Sequence, residues 1–214
     1  MRSFEIRVCE SCGLRYPLVD GQSHGTRCPI CMGATRVALS RELVREPHLA
    51  PDPPLRGASR SPKRRGGHTV LLDNIRSAWN VGSILRSAEG FGFAHAYLCG
   101  ITPTPENDAV RKTSLGAEDS VTWSHHNDAV KLVKGLKAQG WNVFGLEESV
   151  DGVSISSAKS MQANSVLIVG NEVTGIDPDL LDLCDEILTI PMRGEKKSFN
   201  VAIAFGIAAY QLHQ

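Results

Sequence analysis

From His68 onward, short β-prone runs alternate with stretches of helical apolar spacing, and this alternation constrains the chain more than any other feature. Thr69–Leu72, Ala94–Cys99, Val121–Trp123, Asn142–Leu146, Ser165–Val169 and Glu186–Ile190 read as strands. Between them, Asn80–Phe91 places Ile84, Leu85, Ala88 and Phe91 at helical intervals, with Asn80 as the expected N-cap. Asp128–Gln139 turns Val130, Leu132, Val133 and Leu136 inward and meets a helix stop at Gly140. Shorter helices are expected over Asn107–Lys112 and Asp179–Leu183. The last helix, Asn200–Leu212, carries the run Ala202–Tyr210 and reads as buried. Such alternation predicts a parallel sheet with helices on both faces.

Ahead of this region the composition changes. Residues 1–40 hold four of the six cysteines, and 41–67 are rich in Pro, Arg and Gly, which predicts a linker. The expected organisation is a module over 1–40, the linker over 41–67 and an α/β domain over 68–214. A chain of 214 residues has room for one sizeable core and one small module. It contains no apolar run of membrane-spanning length, and Met1–Ile6 lacks the apolar centre of a signal peptide, so the expected location is the cytoplasm with no membrane partner. The net charge is zero, yet residues 1–68 carry twelve Lys/Arg against six Asp/Glu, and 69–214 carry eleven against seventeen. The basic front third is either a polyanion contact or a solvated tail.

Cys9-x2-Cys12 and Cys28-x2-Cys31 lie fifteen residues apart, a spacing that matches paired zinc knuckles. Two such turns supply four thiolates to one tetrahedral ion, and a closed four-cysteine shell makes Zn2+ structural rather than catalytic. A reducing compartment disfavours disulfides, and a redox CxxC requires a βαβ setting that these forty residues, without visible periodicity, do not offer. Gly13 and Gly33 suit the positive φ of knuckle turns. Cys99 and Cys184 sit in apolar surroundings and read as packing residues.

Three polar segments sit at strand ends, where α/β folds build ligand sites. The first, Asp73–Gly92, includes Asn74, Asn80, Gly82 and Arg86; the second is Gly170-Asn-Glu-x-x-Gly175. The third is Ile190-Pro-Met-Arg-Gly-Glu-Lys-Lys-Ser-Phe-Asn-Val201. Taken singly, a capped helix with an exposed arginine and an ordinary βα turn account for the first two. Neither a Walker loop nor the dinucleotide fingerprint is present. Gly82 and Gly170 read as points where backbone approaches a ligand closely. Lys196 and Lys197 read as phosphate contacts or as solvated surface.

Together, in order and spacing, the three segments resemble the motifs of the SpoU (TrmH) family, which are RNA ribose 2′-O-methyltransferases of the SPOUT superfamily. Val110–Ala117 resembles the family's Ser-x-Gly-Ala turn, and the similarity covers about residues 68–214. The resemblance implies an α/β-knot fold with a C-terminal trefoil knot, to which the cysteine pattern adds a small N-terminal zinc ribbon. It implies S-adenosylmethionine as cofactor, touching Gly170, Ile190 and Phe199, and a homodimer with the active site near the interface. It assigns Arg86 to the ribose hydroxyl or the adjacent phosphate, with Asn80, Glu172, Ser198 and Asn200 completing the site. An arginine rarely gives up its proton, so Arg86 is read as a clamp and charge stabiliser. Many members have Leu where this chain has Phe199, and the family's common extra RNA-binding domains have no counterpart here. The expected substrate is tRNA or rRNA. A non-catalytic RNA-binding or assembly protein on the same fold is the alternative.

Overall fold

The computed structural model of the chain describes residues 3–19, 26–42, 67–149, 151–158, 160–196 and 198–213. Most of the expected linker, 43–66, and Lys197 lie outside the described residues.

The N-terminal segment forms an antiparallel sheet of β1 (Ser3–Cys9), β2 (Arg15–Val19) and β3 (Thr35–Glu42), with β1 in the centre. This is order where the sequence showed no period. Opposite Ile6 and Arg7 the pairing on β3 jumps from Leu39 to Val37, so β3 carries one extra residue, and burial along β1 changes phase at Arg7. Leu14, Tyr16, Cys9 and Cys28 make a small core of their own.

The second sheet is wholly parallel. It contains β4 (His68–Asp73), β5 (His95–Cys99), β6 (Thr122–His126), β7 (Asn142–Leu146), β8 (Val153–Ser154), β9 (Ser165–Val169) and β10 (Glu186–Thr189). Their order is β6-β5-β4-β9-β7-β10-β8. Parallel strands covered on both faces are apolar on both, and successive residues divide accordingly. Val70, Leu72, Leu167 and Val169 face one core, while Leu71, Val166 and Ile168 face the other.

The first core is closed by α1 (Ala78–Gly90), through Val81, Ile84, Leu85 and Ala88, and by α6 (Val201–Leu212), through Phe205, Ala208, Ala209 and Leu212. The helices α2 (Asp108–Ser114) and α3 (Ala117–Ser120) pack beside α1. The opposite core is covered by α4 (Ala129–Ala138) and α5 (Pro178–Leu181). Gly140 follows α4 at φ 78°, the left-handed stop its position predicts.

Two expectations are corrected here. The N-cap of α1 is Ser77, whose Oγ accepts from the Asn80 amide; the helix begins a turn earlier, and the Asn80 side chain is free for other work. Helix α6 is not buried all round, because Ile203 and Tyr210 are 56% and 60% exposed.

Candidate functional site

The carboxyl ends of β4 and β9 are adjacent, but the chain leaves β4 toward β5 and leaves β9 toward β10, on the other side. Open α/β sheets bind ligands in the crevice above such a divergence. The first two motif segments begin there.

After β9 the chain folds back in a tight turn. The Asn171 and Gly175 backbones exchange hydrogen bonds of 3.0 and 2.9 Å, and the Asn171 carbonyl oxygen Oδ1 accepts from the Val173 and Thr174 amides. A Cβ on Gly170 would lie 2.2 Å from Ile176 N and 2.3 Å from Gly175 C. The loop's own return therefore already demands a glycine here. Gly82 is explained in the same way: its Cβ would collide with Thr113 Oγ1 and Val110 O of α2, so it serves helix packing.

The turn aims Glu172 across the crevice at the start of α1. One carboxylate oxygen accepts from Arg76 N at 2.9 Å, and the other accepts from Ser77 N at 3.1 Å and Asn80 Nδ2 at 2.9 Å. A carboxylate at a helix N-terminus satisfies orphan amides and opposes the positive end of the helix dipole. Because Asn80 donates to Glu172, its Oδ1 is left to accept, and it does so from Asn200 Nδ2 at 3.0 Å. Asn200 then uses its own Oδ1 to accept from Ala202 N, capping α6. One carboxylate and two amides thus join all three motif segments.

Beneath this chain of contacts, Asn171 Nδ2 donates to Asn74 O at 2.6 Å, and Asn74 Nδ2 donates to Asp73 Oδ1. Asn74 holds φ 55°, a left-handed conformation that asparagine tolerates. Burial raises the Asp73 carboxyl to about 7, although the Asp177 amide donates to it. Glu147, just past β7, is half-buried, and desolvation raises its carboxyl; it accepts from Ile176 N at 2.8 Å.

The remaining expected residues are placed differently. Gly170 is buried and Ile190 is half-buried against the first core, while Ser198 and Phe199 are exposed. Among the described residues, 191–196, 198 and 199 form no backbone-to-backbone hydrogen bond. That leaves amides and carbonyls beside Ile190 and Phe199 open to a ligand with both polar and apolar parts, which fits a cofactor such as S-adenosylmethionine. Arg86 is exposed and has no hydrogen bond or ion pair to another described residue. It lies about 9 Å further along α1 than Asn80 and roughly 120° round it, so the two do not meet within this chain. Arg86 shares its side of the helix with exposed Trp79, seven residues earlier. Lys196 is exposed.

Sequence reasoning missed the roles of Ser77, Asn171 and Glu147, and the bond between Asp73 and Asn74, although it named Asn74 as a motif residue. The Asn-Asp clustering at the end of a strand was the one signal that could have found the pair.

The four cysteines of the N-terminal module come together. All are free thiols, and their sulfurs lie within 4.8 Å of one another, with Cys9–Cys31 at 3.4 Å and Cys12–Cys28 at 3.6 Å. Four sulfurs at about 2.3 Å from Zn2+ in a tetrahedron stand about 3.8 Å apart, so the set fits that ion. The Cys12 amide donates to Cys9 Sγ and draws that thiol down to about 6, while burial pushes Cys12 up to about 12 and raises Cys28. Gly13 has the expected positive φ of 70°. At Gly33 the need is space, since a Cβ would lie 2.6 Å from Ser11 Oγ, and the left-handed residue there is Met32.

Comparison with known proteins gives the same direction. The chain is 30% identical over 142 residues to the 23S rRNA (guanosine-2′-O-)-methyltransferase RlmB of Xanthomonas axonopodis pv. citri (strain 306), covering 66% of this chain and 56% of that protein. It therefore spans a little over half the length of such relatives. A TrmH-family protein from Porphyromonas gingivalis superposes with a TM-score of 0.66 at 32% identity, over 72% of this chain and 62% of that one. The SpoU methyltransferase AviRb from Streptomyces viridochromogenes, solved in complex with AdoMet, superposes with a TM-score of 0.64 at 25% identity, over 71% and 61%. A profile of the SpoU rRNA Methylase family matches residues 67–210, and with the three motif segments joined above one parallel sheet, the chain belongs to that family.

Proposed function

We propose that this chain transfers the methyl group of S-adenosylmethionine to a ribose 2′-hydroxyl of RNA. The observation that carries the reading is Glu172, whose carboxylate holds Arg76 N, Ser77 N and Asn80 Nδ2 while Asn80 holds Asn200. A purely structural βα turn has no need to order three separate segments around one crevice. The names of the relatives, which include a 23S rRNA enzyme, favour rRNA over tRNA as substrate.

When bound, the sulfonium supplies a methyl group already disposed to in-line displacement, so the protein's task is chiefly to position the nucleophile. Gly170, Ile190 and Phe199 hold the cofactor beside the segment that follows β10. Glu172, Asn80 and Asn200 fix the loop geometry, and Ser198 orients the ribose or the loop that carries it. Arg86 grips the phosphate beside the target ribose and stabilises the developing alkoxide. Cys9, Cys12, Cys28 and Cys31 hold a structural Zn2+ that folds the first forty residues into a ribbon.

The same reading gives a homodimer. Exposed Ile203 and Tyr210 on α6 and Trp79 on α1, which is 55% exposed, form apolar surface suited to a second copy, and Arg86 stands beside it. The C-terminal knot belongs to this proposal as well; the placement of β10 between β7 and β8, both earlier in the chain, supports it. Among the described residues no helix is long and apolar enough to cross a membrane. Six free cysteines support a location in the cytoplasm.

The test is single-turnover transfer from radiolabelled S-adenosylmethionine to ribosomal RNA, followed by mapping of 2′-O-methylated nucleotides. Wild type should transfer, and Arg86→Ala should lose most of the rate while still binding cofactor. RNA binding without transfer by the wild type would favour the non-catalytic alternative. Full activity in Arg86→Ala would overturn the role given to that residue.

A further inference from the structure

The four-cysteine module is not tethered only by its linker. Arg15, three residues after Cys12, opens strand β2 and drives its guanidinium into the larger domain. Its Nε donates to Asp177 Oδ2 at 2.5 Å and one terminal nitrogen to Asp177 Oδ1 at 3.0 Å, while the same nitrogen reaches Asp179 at 2.8 Å. The Arg15 and Asp177 side chains are 8% and 2% exposed. Backbone contacts fix the approach: Arg15 N donates to Asn127 O at 2.8 Å, and Asn127 Nδ2 donates to Cys12 O at 2.9 Å. Gly100, at φ 63°, leaves room for the Arg15 carbonyl, which a Cβ there would meet at 2.9 Å.

From Arg15 a continuous polar path leads to the candidate site. The Asp177 amide donates to Asp73 at 2.9 Å, Asp73 accepts from Asn74, and the Asn74 carbonyl accepts from Asn171. Asn171 forms the turn that carries Glu172. Two buried carboxylates, Asp73 and Asp177, therefore stand under the motif loops, and Arg15 is the cation that pairs with Asp177. A buried carboxylate stripped of its counter-charge is costly, and the chain around it rearranges to reach water or another donor.

We propose that Arg15 is a positioning residue through which the cysteine module sets the geometry of the Gly170–Asp177 loop and, through it, of Glu172 and Asn80. The inference rests on the methyl-transfer reading only for its catalytic consequence; the structural coupling stands independently. Zn2+ held by the knuckle would fix Cys9 and Cys12, and hence the chain entering Arg15. An RNA enzyme built in this way has a site whose order depends on a separate folding unit.

The experiment is residue-resolved amide hydrogen exchange on the full chain with Zn2+ bound, comparing wild type, Arg15→Ala, Arg15→Lys and Arg36→Ala, the last an exposed control on the same module. In Arg15→Ala, exchange at the Asn171 and Ile176 amides should rise by on the order of a hundredfold, the scale of a broken buried ion pair, while central strand β9 keeps its protection. Arg15→Lys, which keeps charge but loses the fork, should fall between, and Arg36→Ala should match wild type. Single-turnover methyl transfer should follow the same order, and removal of Zn2+ with a chelator should reproduce the Arg15→Ala pattern. Unchanged exchange at Asn171 and Ile176 in Arg15→Ala would overturn the proposal, as would an equal loss of protection in β9, which marks general destabilisation. If wild type transferred no methyl group, the functional reading would fall while the exchange result still decided the coupling.

Discussion

Adding one methyl group at Gly170 probes the loop that supports Glu172. The new Cβ would stand 2.2 Å from Ile176 N, 2.3 Å from Gly175 C and 2.6 Å from Gly175 O, where ordinary contact begins at 3.4 Å. All three atoms are backbone, so no side chain can rotate aside, and a segment must move by about 1 Å to restore that spacing. Ile176 is 2% exposed and its amide is held by half-buried Glu147, so the cheapest movement breaks that bond. Overpacking costs about 1–3 kcal/mol and a hydrogen bond to a charged group about 1.5–3 kcal/mol, so a loss of about 3 kcal/mol is expected for Gly170→Ala. With a urea slope of roughly 1–3 kcal/mol per molar, the midpoint should fall by about 1–3 M. Calorimetric titration should show S-adenosylmethionine binding weakened in parallel. Gly135→Ala, in α4 with open space around the would-be Cβ, should move the other way by about 0.5–1 kcal/mol. If Gly170→Ala kept the wild-type midpoint and bound cofactor within about twofold, the steric argument would fail, and with it the claim that the loop's return explains the glycine.

Three further outcomes are expected. Glu172→Gln places an amide NH2 against donors that now share a carboxylate, so stability should drop by about 1–3 kcal/mol in thermal melts, and single-turnover methyl transfer should fall more steeply than cofactor affinity. Native mass spectrometry of the full chain should find one Zn2+ per chain, and Cys28→Ser should lose the ion and lower the melting temperature. Two buried groups should give opposite pH slopes, each read as the difference between wild type and a single-site variant. Burial lifts Asp73 from 3.8 to about 7, so the folded state holds the proton longer, and stability should fall as pH rises through that window, by up to roughly 1.4 kcal/mol per unit against Asp73→Asn. Burial, helped by His126, lowers His95 from 6.5 to about 4, so the unfolded state binds the proton first, and stability should rise with pH between those values relative to His95→Gln. Denaturant melts across pH 4 to 8 check both, and a flat difference for either pair contradicts the assigned burial effect.

The strands of the larger domain were readable because parallel strands covered on both faces are unbroken apolar runs; Asn142–Leu146 and Ser165–Val169 match residue for residue. Where the sequence misled, the determining contacts are distant in the chain. Asn80 looked like a cap because the side chain that does the capping, Ser77, precedes the visible apolar period. The packing need for glycine at 82 and 170 could not be read, because neither α2 nor the returning Gly175–Ile176 backbone is implied by local spacing. Phe4 and Ile6 face inward but the next inward apolar residue of β1 is Cys9, a phase slip at the bulge that concealed the first sheet. The residues of the site were visible as motif members. What joins them, Glu172 to Arg76, Ser77 and Asn80, spans more than ninety positions and has no signature along the chain. Arg15 was invisible for the same reason, being one arginine among many in a basic segment.

The Arg15–Asp177 pair also bears on how this architecture can be taken apart. A fragment starting at residue 67 would keep Asp73 and Asp177 but lose the cation that pairs with the latter, so the larger domain cut out alone would carry a buried carboxylate without its counter-charge. Exchanging the cysteine ribbon for another accessory domain would require rewriting the receiving surface as well, for instance with Asp177→Asn. The two halves carry a lock and its key in their charges, and modular shuffling would have to inherit both together.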